Sequence, residues 1–310
     1  MNVFVRKSGT SFVLKSMKEE IRSKKRAAKI KVISIILLKE RIRILKICSL
    51  RNFKNCLSLR IDMLYLVGLG ISGDLTLSGL EVVRKANRVY YESYTSLIDE
   101  GSIRKLEKLA GKKFEKVERR DLEDNVKSLV EQAKESDICI LVPGDPLIAT
   151  THISIILEAE SLGIKYQVIH NSSIFPSICE IGIQIYKIGR ITSIPLKEEN
   201  FDPESFYEVI EDNLKRGLHT IILLEARSER EFVSINEAIR RILELSKERN
   251  GTITPKSLGV GISRLGFKDF IIKFGKLEEL ETFNFGKPPH TLLILGKLHF
   301  VEEEALKRFR

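Results

Sequence analysis

Cysteine is scarce in this chain: Cys48, Cys56, Cys139 and Cys179 are all there is in 310 residues. They form no C-x-x-C pair, and none lies near a histidine at metal-ligand spacing. A disulfide framework and a sequence-local zinc site therefore have no basis, and a reducing, cytoplasmic compartment is the simplest home. Two of the four sit in strongly apolar surroundings, as core thiols do. Long apolar runs are missing from the first 62 residues. The longest there, Val32 to Leu38, falls far short of the roughly 20 residues that span a bilayer, and no small-residue cleavage site follows it. Internal repeats are absent, and so is any basic motif interleaved with aromatics.

An excess of positive charge is absent from most of the chain as well, although the formal net charge is +10. Residues 1–62 hold 17 of the 52 Lys and Arg but only 4 of the 42 Asp and Glu, a net of +13. The other 248 residues are thus net −3, and their charge gives no support to nucleic-acid binding. An RNA-binding reading would rest on residues 1–62 alone. That segment mixes basic clusters with short apolar runs. It reads as a basic arm for RNA or anionic lipid, as a transit-like peptide, or as a stretch translated from a start set too early. Met63 opens directly onto a complete strand, which favours the last of these.

What is present is a globular composition, 43% hydrophobic, in a length that allows two ordinary domains. From Met63 onward, short apolar strands alternate with amphipathic helices, the pattern of an α/β fold. "MLYLVG" reads as a strand, "TLSGLEVVRKA" as a helix and "RVYYE" as the second strand. "LEDNVKSLVEQAKE" reads as one helix on the spacing of Val126, Leu129, Val130 and Ala133. "DICILV" is a buried strand stopped by Pro143. "ATTHISIILEAESLG" is a helix with a glycine stop, and "KYQVIH" is a further strand. A second α/β block holds the strands "HTIILLEA", "LGVGISRL" and "HTLLILGKL", an extended "DFIIKFGKL" and the helix "SINEAIRRILELSKE". The expected division is a basic extension 1–62, an N-terminal α/β domain 63–185 and a C-terminal α/β domain 186–310.

Two loops carry the chemistry. Gly68, Gly70 and Gly73 follow the first strand as G-x-G-x-x-G, with Glu92 at the distance of a ribose-binding acid, as in an NAD-dependent Rossmann oxidoreductase. Asp74, however, follows the third glycine where a diphosphate would lie. It would repel a phosphate chain unless it turns away or caps the helix. The loop suits a ligand without phosphates better. The second loop, "ILVPGDPLIATTH", brackets Gly144 and Asp145 between Pro143 and Pro146. That makes a stiff turn with room for close approach and one carboxylate acceptor. Both loops end strands, and strand C-termini are where open α/β sheets place ligands.

At these residues the chain resembles the tetrapyrrole-methylase superfamily of S-adenosylmethionine-dependent methyltransferases. "YTSL", "PGDPLIATTH", "HNSSI", "RGLHTIILLE" and "PPHTLLILGKLHFVE" resemble, within it, the diphthine synthase family, over nearly all of Met63 to the C-terminus. The resemblance implies two α/β domains with the donor site in the cleft between them, and S-adenosyl-L-methionine as co-substrate with no metal. It implies N-methylation of a modified histidine on translation elongation factor 2, on the way to diphthamide, by a cytoplasmic homodimer with no membrane contact. Carried over by motif, the donor-contacting residues are Ile71, Asp145, Ile148, Ser173, Ile174, Leu224, Ser263 and His290. No general base is assigned, and His152 and His170 are expected to cap or satisfy turns. A corrinoid or other tetrapyrrole methyltransferase is the nearest alternative; it would share the donor loops but not "YTSL" or "PPHTLLILGKLH". The first loop, "ISGD", departs from the family by being shorter and less acidic than expected.

Overall fold

Met63 begins the first strand, with its backbone N–H donating to Asp137 Oδ1 at 3.0 Å. The computed structural model describes residues 62–199 and 201–310, so the basic segment before Asp62 lies outside the described residues. The first half runs β1 (Met63–Gly68), α1 (Leu77–Lys85), β2 (Arg88–Glu92), α2 (Glu100–Ala110) and β3 (Glu115–Val117). It continues as α3 (Arg119–Glu123), α4 (Val126–Glu131), β4 (Ile138–Val142), α5 (Ile153–Ser161) and β5 (Lys165–Ile169). The five strands pair in parallel in the order β3-β2-β4-β1-β5. All five residues of β4 are buried, as a strand covered on both faces requires.

The second half comprises α6 (Ile174–Ser177), β6 (Thr192–Ile194), α7 (Ser205–Lys215), β7 (Thr220–Leu224) and α8 (Ile235–Glu248). After these come β8 (Leu258–Ser263), β9 (Ile271–Lys276), α9 (Leu277–Leu280), β10 (His290–Ile294) and α10 (Phe300–Leu306). This sheet is mixed, in the order β6-β7-β10-β8-β9, with only β6 and β7 parallel. Its main helix, α8, shows how the sequence makes the element. The Ser234 hydroxyl caps the start by accepting from Glu237 N at 3.1 Å. Ile235, Ala238, Ile239, Ile242 and Leu245 then form one buried stripe against the sheet.

Two predicted helices come out shorter. The segment 122–135 breaks at Asp124 and Asn125 into α3, α4 and a 3-10 turn. Asp and Asn compete for nearby backbone groups and favour helix ends over helix interiors. The helix expected from Ala149 starts only at Ile153, because Ala149 is left-handed (φ 55°). Its far end is as read, with Gly163 left-handed and its N–H on Glu160 O at 3.0 Å.

The C-terminal helix is pinned by a buried carboxylate. Glu302 is fully buried and accepts from His299 N (2.8 Å), Gln184 N (3.0 Å), Lys187 Nζ (2.5 Å) and His219 Nε2 (3.3 Å). Because His219 Nδ1 accepts from Gly296 N, the ring proton sits on Nε2 and points at Glu302. Burial lowers the pKa of His219, so the neutral imidazole donates.

The two sheets draw on separate stretches of sequence, 63–169 and 192–294, yet Asp62–Arg310 forms one compact unit. We propose the domain boundary near residue 185, where the first sheet's sequence has ended and the second's has not begun. A chain starting at Met63 is expected to fold, and to bind its ligand, as the full chain does. Any contribution of the basic segment should fade with salt, over a Debye length of about 8 Å at physiological ionic strength. Failure of the shorter chain to fold at any salt would refute the boundary at 62/63.

Candidate active site

The loops after β1 and β4 are joined by their backbones. Gly70 N donates to Gly144 O (3.0 Å) and Gly144 N donates back to Gly70 O (2.9 Å). Both glycines are left-handed, φ 61° and 68°, a conformation that costs glycine nothing. A Cβ on Gly68 would lie 2.6 Å from Gly144 O, so a side chain there would force the loops apart. The loop after β5 completes the clasp. Asn171 Nδ2 donates to Gly68 O and to Asp74 O, both at 2.9 Å, and Ile71 N donates to Ser172 Oγ at 3.3 Å.

Asp145 is held inside this clasp rather than left free. Its Oδ1 accepts from Leu147 N (3.1 Å), and its Oδ2 accepts from Asn171 N (3.2 Å) and His170 Nδ1 (2.7 Å). The residue is 6% exposed, while the His170 side chain is 67% exposed. His152 supports the same turn from beneath: Nδ1 bonds Pro146 O at 3.1 Å and Nε2 pairs with the Tyr94 hydroxyl at 3.2 Å. Both histidines serve turns.

Glu92 serves the next loop. It is fully buried at the end of β2 and accepts from Tyr94 N (2.9 Å), Thr95 N (3.1 Å) and the Thr95 hydroxyl. Burial raises its pKa, opposed by those hydrogen bonds. The effect is to fix Thr95, Ser96, Leu97 and Ile98 as one wall of a cleft.

The opposite wall comes from the second sheet: Leu223 and Leu224 of β7, Ile262 of β8, the Arg264–Phe267 turn, and Pro289 to Thr291 at β10. The cleft is a concave site open at its mouth, lined mostly by apolar side chains with a few polar groups among them, as small-molecule sites are. His290 borders it at the start of β10, and its ring packs edge-on against Phe232 and Phe285, on the sheet face that its cross-strand partner Ser263 shares. Among the described residues, only its two ring nitrogens are buried side-chain polar atoms with no hydrogen-bond partner. Burial lowers its pKa to about 4 against the pull of the carbonyls of residues 285–287, leaving it neutral at physiological pH.

Seven of the eight residues carried over by motif line this one cleft: Ile71, Asp145, Ile148, Ser173, Ile174, Leu224 and His290. Ser263 does not. It is 1% exposed and its hydroxyl donates to Lys287 O at 2.7 Å. Its neighbours Ile262 and Arg264 face the cleft, and alternation along a strand sends the residue between them the other way. Sequence reasoning passed over Arg264 and Phe267, and it valued Thr95 to Leu97 only as part of a motif. The one available signal was Glu92, an apolar-strand carboxylate two residues before a Tyr-Thr turn.

The dinucleotide reading fails on the same geometry. The glycine loop does not open a helix: α1 starts at Leu77, capped by the Thr76 hydroxyl, which accepts from Gly79 N at 3.0 Å. Asp74, considered as that cap, is instead exposed, where it accepts from Ser72 Oγ at 2.7 Å. Glu92 is consumed by its own turn.

A family model for Tetrapyrrole (Corrin/Porphyrin) Methylases matches residues 63–281. Diphthine synthase of Methanocaldococcus jannaschii is 41% identical over 251 residues, covering 79% of this chain and 98% of the relative. The chain belongs to the diphthine synthase family of tetrapyrrole methylases. An Arabidopsis thaliana relative named "Probable diphthine methyl ester synthase" is 36% identical over 272 residues, covering 80% of this chain and 98% of its own length. A crystal structure of diphthine synthase aligns with a TM-score of 0.71 at 36% identity, covering 80% of this chain and 95% of that one. Members of the diphthine synthase family are methyltransferases of the diphthamide route.

Proposed function

We propose that this chain transfers methyl groups from S-adenosylmethionine to the amino nitrogen of the modified histidine on translation elongation factor 2. The observation that carries this reading is the convergence of seven motif residues on one largely apolar cleft. The residues present fit such a donor. The apolar residues Ile71, Ile148, Ile174 and Leu224 line the cleft, with the Arg264 guanidinium as a hydrogen-bond donor. Among the described residues, none of the lysines lines the cleft and no helix N-terminus opens into it from the glycine loop, which suits a ligand without phosphates.

When bound, the donor supplies a methyl group already activated on a sulfonium, so the chain need not provide a nucleophile. What the chain provides is alignment and exclusion of water, which can account for much of a transfer rate. The accepting amine must be unprotonated to attack. Apolar walls and the nearby Arg264 guanidinium both disfavour an ammonium there. Each methyl gained by nitrogen is matched by one proton lost, and with a site open at its mouth that proton can leave to solvent.

The test is the intact mass of unmethylated elongation factor 2 after incubation with this protein and S-adenosylmethionine. Mass gains in methylene steps, whose count also gives the number of methyl groups, support the reading; an unshifted, validated substrate refutes it. Ligand choice is checked separately by thermal melting. S-adenosylhomocysteine at one hundred times its Kd is expected to stabilise the protein by about 2.7 kcal/mol. NAD should leave the melting temperature unchanged, and stabilisation by NAD alone would reverse the assignment.

No described helix is long and apolar enough to cross a membrane. A homodimer in the cytoplasm remains part of the proposal. Its support is the family resemblance together with apolar side chains left bare on α5, Ile153 (53% exposed) and Leu157 (58%).

A further inference from the structure

Arg264 is a basic residue in an unusual position. Its backbone is left-handed (φ 54°), a region that long side chains seldom adopt and that tends to persist at functional sites. The conformation is fixed from both sides: Arg264 N donates to Pro289 O at 2.9 Å, and Phe267 N donates to Arg264 O at 2.9 Å. The turn also lies directly on the first ligand loop. A Cβ on Gly266 would come within 2.7 Å of Ile71 Cγ1, so only glycine lets the two meet.

The guanidinium is held as firmly as the backbone. Nε donates to Asp269 Oδ1 at 2.9 Å, Nη1 donates to Pro288 O at 3.3 Å, and the Phe267 ring lies 4.3 Å away under the cation. Asp269 is itself held below its usual carboxyl range by that hydrogen bond. These contacts leave the end of the fork, a second hydrogen on Nη1 and both on Nη2, without a protein partner among the described residues. The side chain is 15% exposed and lines the cleft, where it is the only cation among the described residues. The only anion on that lining, Asp145, is already committed to Leu147, His170 and Asn171.

We propose that Arg264 is the carboxylate anchor of this site, gripping with its free guanidinium edge the carboxylate of an amino-acid-type ligand. The inference rests on the methyltransferase reading above. A rigid planar fork matches a carboxylate in a way that an ammonium or an amide does not. Two ligands of the reaction can present that group. The methyl donor ends in an amino-acid carboxylate. The acceptor is the other source: the Arabidopsis relative's name specifies a methyl ester, a product that is made on a carboxyl group. Either way, the anchor holds one reactant at a set distance from the other.

The test compares wild type, Arg264→Gln and Arg264→Lys by calorimetry and by steady-state methylation of the elongation factor. Calorimetry uses S-adenosylhomocysteine and 5′-methylthioadenosine, which keeps the nucleoside and thioether but lacks the amino-acid carboxylate. If the donor is gripped, R264Q weakens S-adenosylhomocysteine about 10- to 100-fold and leaves methylthioadenosine unchanged. If the acceptor is gripped, donor affinity is unchanged and the KM for elongation factor rises about 10- to 100-fold with kcat largely kept. R264K should recover part of whichever is lost, and it decides alone, by a several-fold loss in one arm, should R264Q not fold. Donor affinity and acceptor KM both within about twofold of wild type overturn the proposal, as does an equal loss for the two nucleosides. A wild-type protein that neither binds S-adenosylhomocysteine nor methylates the factor sinks the underlying reading instead.

Discussion

Replacing Glu302 by alanine is expected to lower the free energy of unfolding by about 3–5 kcal/mol, the cost of breaking a buried ion pair from one side. Glu302 is fully buried, and its removal strands three donors, His219 Nε2 and the backbone N–H groups of Gln184 and His299, and takes from Lys187 Nζ its anionic partner, leaving it the Lys297 carbonyl. Burial alone would raise the pKa of this carboxyl. The hydrogen bonds from His299, Lys187 and Gln184, with the charge of His219 when protonated, outweigh burial and bring it down to about 2 from an ordinary 4.5. Between those values the unfolded chain binds the extra proton, so stability falls as pH falls through that window and is fully present above it. Urea unfolding of wild type and E302A should therefore show a gap that is widest at neutral pH and narrows below pH 4.5. A gap of the same size at pH 3 and pH 7 would mean that the carboxylate charge is not what holds α10.

The second large effect is expected at Asp145. Asp145→Ala removes the acceptor for Leu147 N, Asn171 N and His170 Nδ1 together. Each buried donor left unpaired costs about 1–3 kcal/mol. The loss should appear in two measurements, a lower urea midpoint and weaker binding of S-adenosylhomocysteine. As an exposed turn carboxylate, Asp145 would have been expected to disturb binding alone; its 6% exposure and its place between two loops change that expectation. His170→Ala separates the contributions, because it removes only the exposed partner. If D145A binds donor as tightly as wild type while losing stability, the carboxylate shapes the turn and does not meet the ligand.

Much of this architecture was legible because parallel strands with both faces covered read as uninterrupted apolar runs, and glycine and proline mark their ends. "DICILV" stopping at Pro143 became β4 within a residue. The donor loops were legible for the same reason, since Gly70 and Gly144 have to take up left-handed conformations at strand ends. What could not be read was what each polar side chain would bond to. Glu92 looked like a ribose acceptor and is the buried cap of a turn. Asp74 looked like a helix cap, and Thr76 takes that role two residues later. Ser263 spends its hydroxyl on Lys287 O, a partner brought by the fold and not by local sequence. Arg264 was passed over because an arginine in a glycine-containing turn ordinarily belongs to the solvent.

The mutual hydrogen bonds between Gly70 and Gly144 bear on how this loop can change in length among its relatives. Insertion or deletion before Gly70 would slide β1 against β4 and break the reciprocal pair, so the spacing from the strand to Gly70 is locked. Beyond Ile71 the loop is pinned again at Asp74, whose N–H donates to Leu69 O at 2.6 Å and whose carbonyl accepts from Asn171 Nδ2 at 2.9 Å, before Thr76 caps α1. That leaves Ser72 and Gly73 as the interval of "ISGD" where length can change while both pinned ends, Ile71 and Asp74, keep their places on the donor loops.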